Sequence, residues 1–282
     1  NGGTWQYNSN GTYASETWAN ASTNTELAAL RQAMEGAISG TGQFDISTAS
    51  FVDSFSVASQ ENNPKGMSFN TDGTKMFVVG FTGDDVNEYT LSTGFDVSTS
   101  VFVDSFSISS QSTLPTGIAF NTDGTKMYVV DQGTQDVNEY ALSTGFDVST
   151  ASYTQAFSTS SQTGSPQGLA FSTDGTKMFV IDNTGDDVNE YTLSTGFNVS
   201  TASFVDSFSV ASQDTDPKGI AFSTDGTKMF VIGNTNKNVY EYTLSTGFDV
   251  STSTFVDSFN VSAQTASAEG IAFNTAGLKM YV

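Results

Sequence analysis

One motif, Phe-Asp-Val-Ser-Thr with small variations, returns along the chain at a constant interval of 51 residues. Asp-Gly-Thr-Lys-Met and Pro-x-Gly motifs keep the same interval, without insertion or deletion, although both have diverged in the last copy. A fixed period of this length is typical of arrays of one supersecondary unit. The sequence therefore divides into an N-terminal segment, residues 1–43, and repeats. The repeat units are 44–94, 95–145, 146–196, 197–247 and 248–282, the last of them incomplete.

The pattern within each unit predicts four short β-strands. In the first unit these are the alternating segment 51–57, the segment 66–69, the apolar run 75–79 and the segment 86–91. Asp72-Gly73 predicts a hairpin between the second and third, because glycine adopts a positive φ without strain. Four strands in about 40 to 50 residues are typical of a β-propeller blade. We therefore predict an all-β protein, a β-propeller with four whole blades and part of a fifth.

The run Pro-x-Gly-Ile-Ala-Phe-Asn-Thr-Asp-Gly-Thr-Lys-Met-Tyr-Val-Val from Pro115, followed by Asp-Val-Asn-Glu-Tyr at 136–140, resembles the YVTN/NHL-like β-propeller families. The resemblance covers residues 44–282 and implies the fold, but no chemistry. The sequence stops at Val282 inside a predicted strand, so we expect more chain and further blades in the native protein. If Phe51–Val57 is the outermost strand of the closing blade, the units form a ring; an open solenoid is the alternative.

Residues 1–43 lie outside the repeat and predict a small docking module. A hairpin is expected at Asn10-Gly11, a helix over about 24–39 behind the capping box of Thr23 and Glu26, and a glycine linker over 40–43. The apolar stripe of that helix either packs on the side of the propeller or meets another copy or subunit. We expect docking and oligomerisation, with a homo-oligomer as the outcome, to involve Trp5, Trp18, Leu27, Leu30, Met34 and Ile38.

Composition excludes several kinds of chemistry. The chain has no His and no Cys, so imidazole bases, imidazole or thiolate metal ligands and thiolate nucleophiles are absent. Its formal net charge of −21 repels phosphate backbones, which argues against a nucleic-acid partner. No apolar stretch is long enough to span a bilayer, so membrane insertion is not expected.

Two loops vary between units while the rest of the repeat stays constant. They precede the Pro-x-Gly motif and follow the apolar strand, and in an antiparallel blade they emerge at the same end. Propellers often bind ligands on one loop face, which favours this face as a binding surface; neutral variation of exposed loops is the alternative. The candidate ligand-binding residues are Asn62, Asn63, Phe81, Asp131, Gln132, Asp182, Asn183, Asp216, Asn234 and Asn236. Phe81 could stack on a sugar ring, or fold back onto its own blade.

Clustered acidic residues are weak candidates for calcium ligands: Asp84, Asp85, Asp186 and Asp187. No Asp-x-Asp-x-Asp-Gly loop is present, and Asn238 replaces the second Asp in the fourth unit. We therefore expect no obligatory cofactor or metal. The mid-strand residues Asp53, Asp104, Asp206 and Asp257 recur in four units, and such redundancy argues against a single catalytic centre, so we expect no enzyme activity.

The segment 16–34 resembles segments in structural proteins of tailed bacteriophages, especially marine ones. It covers less than a tenth of the chain. This resemblance implies a non-enzymatic virion appendage, a tail fibre or tail-associated protein, located in the extracellular virion. Its expected partners are other tail subunits and a host surface glycan or protein. The alternatives are a secreted or cell-surface bacterial adhesin or surface-layer module, and a lactonase-type hydrolase with a metal in its central channel.

Overall fold

The computed structural model describes residues 43–282, and Phe44–Val282 form one compact unit. The hairpin, the helix and the six docking residues predicted in the N-terminal segment lie outside the described residues. No helix in the described part is long and apolar enough to cross a membrane.

Four complete blades follow one another, and each is an antiparallel sheet whose strands pair in chain order. The first blade contains β1 (Pro64–Phe69), β2 (Lys75–Gly80), β3 (Asp85–Leu91) and β4 (Ser100–Ser107). The second contains β5 (Pro115–Phe120), β6 (Lys126–Asp131), β7 (Asp136–Leu142) and β8 (Ala151–Ser158). The third contains β9 (Pro166–Phe171), β10 (Lys177–Asp182), β11 (Asp187–Leu193) and β12 (Ala202–Ser209). The fourth contains β13 (Pro217–Phe222), β14 (Lys228–Gly233), β15 (Asn238–Leu244) and β16 (Ser253–Asn260).

A fifth, partial blade contributes β17 (Ala272–Phe273) and β18 (Met280–Tyr281), which pair with each other. One turn of 3-10 helix precedes the outer-strand position of every blade, at Ile46–Thr48, Val97–Thr99, Val148–Thr150, Val199–Thr201 and Val250–Thr252. The all-β propeller predicted from the repeat is thus confirmed. The predicted strand Phe51–Val57 is not: these residues form no ladder in the structure.

The constant hairpin explains why Asp-Gly-Thr recurs. The carboxylate of Asp72 accepts hydrogen bonds from the backbone N–H of Thr74 at 3.0 Å and from its hydroxyl at 2.6 Å. Gly73 takes a φ of 71°, and the ring of Phe95 lies where a side chain at position 73 would project. Only glycine satisfies both the positive φ and the close ring. The hydrogen bonds from Thr74 lower the pKa of Asp72.

The apolar second strands form the core between blades. β6, for example, buries every residue from Met127 to Asp131, which confirms that this strand is covered on both faces. The innermost strands approach one another so closely that a side chain at Gly66 would lie 2.8 Å from the Cα atom of Gly117. The glycine of Pro-x-Gly therefore lets the blades meet around the axis.

A lysine that recurs on the second strand of each blade contacts the segment that leads into the outer strand of the next blade. Lys75 Nζ lies 2.7 Å from Glu88 Oε1 and donates to the carbonyl of Phe146 at 2.5 Å. The other oxygen of Glu88 accepts from the N–H of Val148 at 3.0 Å. The glutamate is almost completely buried, and these two donors compensate for the loss of its hydration.

The same contacts close the ring. Lys228 donates to the carbonyl of Phe44 at 2.7 Å, and the N–H of Phe44 donates to Gly277 at 2.7 Å. Phe44 thus takes the place that the repeat assigns to the phenylalanine after Phe248. Lys65 of the first blade pairs with Glu269 of the fifth at 2.9 Å. The units therefore form a ring, and the open solenoid is excluded.

Candidate functional site at the channel mouth

The first residues of the innermost strands line a channel along the propeller axis. Its walls come from the Pro-x-Gly segments of all five units. The open space is about 20 Å³, enough for about one water molecule. A ligand larger than water therefore meets the protein at the mouth of this channel and not inside it.

The residue before the glycine of the Pro-x-Gly position varies between units, with lysine in two of the five. In chain order, the residues at this position are Lys65, Thr116, Gln167, Lys218 and Glu269. Two cations, one anion and two neutral polar groups thus surround one axis in a segment whose flanks are nearly constant. We name this set the mouth residues.

Lys65 and Glu269 form the charged pair where the first and fifth units meet. Their side chains are 15% and 14% exposed, so ligands in solvent can reach them. The hydroxyl of Ser267 donates to Glu269 Oε1 at 2.6 Å. Lys65 Nζ also lies 4.9 Å from the centre of the Phe81 ring, within range of a cation–π contact.

A second pair surrounds Lys218, whose ammonium group lies 2.7 Å from Asp216 Oδ1. Burial acts to raise the pKa of Asp216, but bonds from Lys218, Asn234 and Asn183 outweigh burial and lower it. The Asn234 amide donates to Asp216 Oδ2 at 3.2 Å. This carboxylate is therefore charged at neutral pH and fixes the position of Lys218.

Amide side chains continue the polar rim on the other side. Gln132 donates to the hydroxyl of Ser165 at 2.7 Å, and Gln167 donates to the same oxygen at 3.0 Å. Of the residues predicted from the variable loops, the structure brings five into contact with the mouth residues or their partners. These five are Phe81, Gln132, Asn183, Asp216 and Asn234.

Three other predicted residues lie further out on the same loops. Asn62 is exposed and accepts from the Thr82 hydroxyl at 2.6 Å. Asn63 is exposed, and its backbone N–H donates to Glu61 at 2.6 Å. Asn236 is exposed and donates to the hydroxyl of Tyr240 at 3.2 Å.

The structure places the remaining two predicted residues, Asp131 and Asp182, inside their blades. Asp131 is completely buried and accepts from the N–H groups of Leu114 at 2.9 Å and Thr134 at 2.6 Å. Asp182 accepts from those of Ser165 at 2.7 Å and Gly185 at 2.8 Å. Burial acts to raise the pKa of Asp131, but its hydrogen bonds outweigh burial and lower it. Both carboxylates hold two loops together and are not offered to a ligand.

The mouth residues escaped the sequence analysis, which compared loops and treated Pro-x-Gly as constant. The signal was present: one position varies in charge inside a segment that otherwise hardly changes. The lysines supply a second signal, since the lysine that directly precedes methionine occurs in all five units, whereas a lysine at the position of Lys65 and Lys218 occurs in only two.

In the described residues, the four calcium candidates do not cluster with other carboxylates as metal ligands. In the part of the chain that the structure describes, no group of three or more Asp, Glu, His or Cys residues is arranged to hold a metal ion. Asp85 accepts instead from the amide of Asn87 at 2.8 Å, and Asp187 from that of Asn189 at 2.8 Å. Burial is the largest cause of the raised pKa of both carboxyls. Among residues 43–282, these four side chains therefore belong to no such group.

The fold is similar to those of known propellers. A candidate 6-phosphogluconolactonase from Bacteroides fragilis is 13% identical, with a TM-score of 0.49 over 73% of this chain and 56% of that one. The periplasmic gluconolactonase PpgL of Pseudomonas aeruginosa is 17% identical, with a TM-score of 0.47 over 73% and 55%. The β-propeller domain of Cps50 (Swd1) from Myceliophteria thermophila is 11% identical, with a TM-score of 0.47 over 76% and 63%.

This chain is a β-propeller. It covers less than two thirds of each of those three structures. No protein-family model and no curated protein matches its sequence. At such low identity the likeness shows the fold alone.

The comparisons contradict two expectations from the sequence. The first is the non-enzymatic virion appendage: two of the three structures carry the names of lactonases, and none of the three is named as a virion, tail or adhesion protein. The second is the expected absence of enzyme activity, which the names of the same two lactonases contradict. The bacteriophage resemblance that carried the first expectation falls within residues 1–42, outside the described part of the chain.

Proposed function

We propose that the channel mouth binds a small polyhydroxylated acid, of the sugar-acid class, and hydrolyses the corresponding lactone. One observation carries the proposal: Lys65, Lys218 and Glu269 occupy the same position of the repeat and converge on one axis. The repeat alone does not require these charges, since Thr116 and Gln167 serve the fold equally well at that position.

The rim suits a sugar-like ligand. Amide side chains of Gln132, Gln167 and Asn234 supply both donors and acceptors for hydroxyl groups. The Phe81 ring supplies an apolar face on the loop beside Lys65. Lys65 and Lys218 supply positive charge for a carboxylate in an otherwise strongly acidic protein.

Glu269 is the group placed to activate water. Its carboxylate would take a proton from a water molecule as the water oxygen attacks the lactone carbonyl carbon. The Lys65 ammonium, released from its ion pair, would stabilise the negative charge that develops on the carbonyl oxygen. The ring C–O bond then breaks, and the leaving oxygen receives the proton from Glu269, which gives the open hydroxy acid. No metal enters this scheme.

The choice of reaction rests on these side chains and not on the shared fold, because one fold carries many functions. Kinship with the YVTN/NHL-like families is likewise a proposal, supported by the Pro-x-Gly and Asp-Gly motifs. Docking through residues 1–43 and a homo-oligomeric state remain predictions.

The test is acid release from glucono-δ-lactone, followed at constant pH and compared with buffer alone. We expect the protein to accelerate hydrolysis and Glu269→Gln to lower the rate about 100-fold. Lys237→Ala, which removes a cation outside the mouth residues, is the matched control and should leave the rate unchanged. No acceleration over buffer by the folded protein for a panel of sugar lactones would overturn the proposal.

A further inference from the structure

The three charged mouth residues are neighbours around the propeller axis. The innermost strand of the fifth unit contacts those of the fourth and the first, so Glu269 lies between Lys218 and Lys65. A Cβ atom added to Gly219 would lie 3.0 Å from the Glu269 carbonyl oxygen, and one added to Gly270 would lie 3.0 Å from that of Lys65. One anion is thus flanked by a cation on each side, and we name these three residues the charged arc.

The two uncharged mouth residues are buried in the propeller, whereas the charged arc is partly exposed. The hydroxyl of Thr116 donates to the carbonyl of Pro166 at 3.1 Å. The amide of Gln167 donates to the hydroxyl of Ser165 at 3.0 Å. The charged side chains retain 14% to 16% of their exposure. A ligand at the mouth therefore meets the charged arc first.

The two lysines of the charged arc pair with different carboxylates. Lys65 Nζ lies 2.9 Å from Glu269 Oε1, whereas Lys218 Nζ lies 2.7 Å from Asp216 Oδ1, two residues earlier in its own unit. In the first unit, Asn63 stands at the position of Asp216, so Lys65 pairs across the unit boundary instead. Asp216 thus holds Lys218 on the side of Glu269 that faces away from Lys65.

Asp216 is itself fixed, so the position of Lys218 is defined before a ligand binds. The carboxylate of Asp216 accepts from the amides of Asn183 and Asn234, and its backbone N–H donates to Asp214 at 2.8 Å. An ammonium group has three N–H donors, and the ion pair of Lys218 within residues 43–282 uses one of them. The other two are free to donate to an anionic group of a ligand.

Hydrolysis of a neutral sugar lactone uses Glu269 and Lys65 but gives Lys218 nothing to bind. The carboxyl group of such a lactone is part of the ring ester, so the substrate carries no charge. A lactone with a free carboxylate at its other end would engage the whole charged arc. The net charge of −21 repels anions from most of the protein surface, so such a carboxylate is bound only where a cation is presented to it.

We propose that the substrate is the lactone of a sugar diacid, which keeps one free carboxylate; this inference rests on the function proposed above. The ester carbonyl lies at Lys65 and Glu269, beside the Phe81 ring, and the free carboxylate accepts from Lys218. Water adds to the ester carbonyl carbon, the ring C–O bond breaks, and the leaving oxygen is protonated through Glu269. The new carboxyl group then ionises, so each turnover gives one dicarboxylate and one proton.

The experiment compares two lactones that differ only at carbon 6, with acid release followed at constant pH. D-glucaro-1,4-lactone carries a carboxylate there, and D-glucono-1,4-lactone carries a hydroxymethyl group. We expect kcat/KM to be about tenfold higher for the first, the effect of one hydrogen bond to a charged group. Lys218→Met removes the cation and should abolish most of this preference. Lys237→Met, the matched control, removes a cation outside the charged arc and should preserve it.

Added salt should reduce the preference in the parent protein, because ions screen the attraction between the carboxylate and Lys218. The circular dichroism spectrum and melting temperature check that each variant is folded. Equal kcat/KM for the two lactones, or a preference that survives in Lys218→Met, would overturn the substrate class while leaving the lactone hydrolysis in place. Hydrolysis of neither lactone nor any other sugar lactone would overturn both proposals.

Discussion

The carboxylate of Glu61 occupies the space that a side chain at Gly80 would fill. A Cβ atom at position 80 would lie 2.5 Å from the Glu61 carboxyl carbon. Glu61 is completely buried and accepts from the N–H groups of Asn63 at 2.6 Å and Thr82 at 3.0 Å. It thus fastens the loop before β1 to the loop after β2.

In the other blades, the buried carboxylate comes either from the position of Glu61 or from the position of Gly80. In the second blade, position 112 is serine and position 131 is the aspartate; the third blade has Thr163 and Asp182. The fourth blade returns to the first arrangement, with Asp214 and Gly233. Each of the four complete blades therefore buries one carboxylate at this place, and its partner position is small or hydroxylated because two carboxylates do not fit.

This reciprocity predicts that the two arrangements can be exchanged. Gly80→Asp places a second buried charge against Glu61 and should lower the free energy of unfolding by about 3 kcal/mol. Glu61→Ser alone leaves buried N–H groups without acceptors and should lower it by about 2 kcal/mol. The double variant copies the second blade, so we expect most of both losses to be recovered. Chemical denaturation of all four proteins gives the coupling free energy.

A control for this cycle is Gly83→Asp, which adds a charge at an exposed position of the same loop and strains the backbone there, because Gly83 has a φ of 91°. Glu61→Ser should rescue Gly80→Asp and not Gly83→Asp. Strictly additive effects of Glu61→Ser and Gly80→Asp would contradict the shared space.

Much of the fold was predictable because the same pattern of strands and turns recurs in five units. The Asp72-Gly73 hairpin, the buried second strand and the use of the N-terminal repeat residues in ring closure follow from local pattern and period. The buried role of Asp131 did not follow, because it depends on Leu114, which lies 17 residues away in sequence and across a loop junction. An aspartate in a variable loop gives the same sequence signal whether it faces solvent or the interior.

The channel mouth was only half predictable for a related reason. Loop variation pointed to Phe81 and Asp216, which do contact the mouth residues. Lys65 and Glu269 are 204 residues apart, and only closure of the ring brings them together. Their meeting is a property of the topology and not of any local motif.

Phe81 provides a test of the ligand face. If its ring contacts the ligand equally in the ground state and the transition state, Phe81→Ala should raise KM about tenfold and leave kcat nearly unchanged. Phe204→Ala removes an aromatic ring that is exposed on an outer strand and should alter neither constant. Steady-state kinetics with glucono-δ-lactone distinguish these outcomes. A fall in kcat at constant KM would place Phe81 outside the ground-state contact.

The environment of Asp187 predicts that its contribution to the stability of the folded protein falls as pH rises. Burial, with repulsion from Asp182 and Asp186, raises the pKa of this carboxyl in the folded protein. The folded state therefore binds the proton more tightly than the unfolded state, and the contribution to stability falls as pH rises above about 4. Asp187→Asn should stabilise the protein by about 0.5 kcal/mol at pH 7 and by nothing at pH 3.

The fourth blade already carries this substitution at Asn238. The reverse change, Asn238→Asp, should therefore destabilise the protein at pH 7 and lose its effect in acid. Thermal unfolding at pH 3, 5 and 7 measures both variants. A stabilisation by Asp187→Asn that persisted at pH 3 would show a cause other than charge.

The contacts of Lys228 with Glu241 and Phe44 predict that replacing this lysine weakens the closure of the ring at Phe44. Its ammonium group pairs with Glu241 at 2.8 Å and holds the Phe44 carbonyl, while Lys177 makes the same contacts to Glu190 and Phe248. Either lysine replaced by methionine leaves a buried glutamate without its cation, and each change should cost about 3 kcal/mol of stability.

The two variants should nevertheless differ in local dynamics. Phe248 leads into β16, which is fully paired with β15, whereas Phe44 leads into residues 51–57, which form no ladder in the structure. Lys228→Met should therefore accelerate amide exchange at Phe44 and Ile46 far more than Lys177→Met accelerates it at Phe248 and Val250. Hydrogen exchange with mass spectrometry compares the two segments under identical conditions. Equal acceleration at both places would show that Phe44 is held in the ring by contacts other than Lys228.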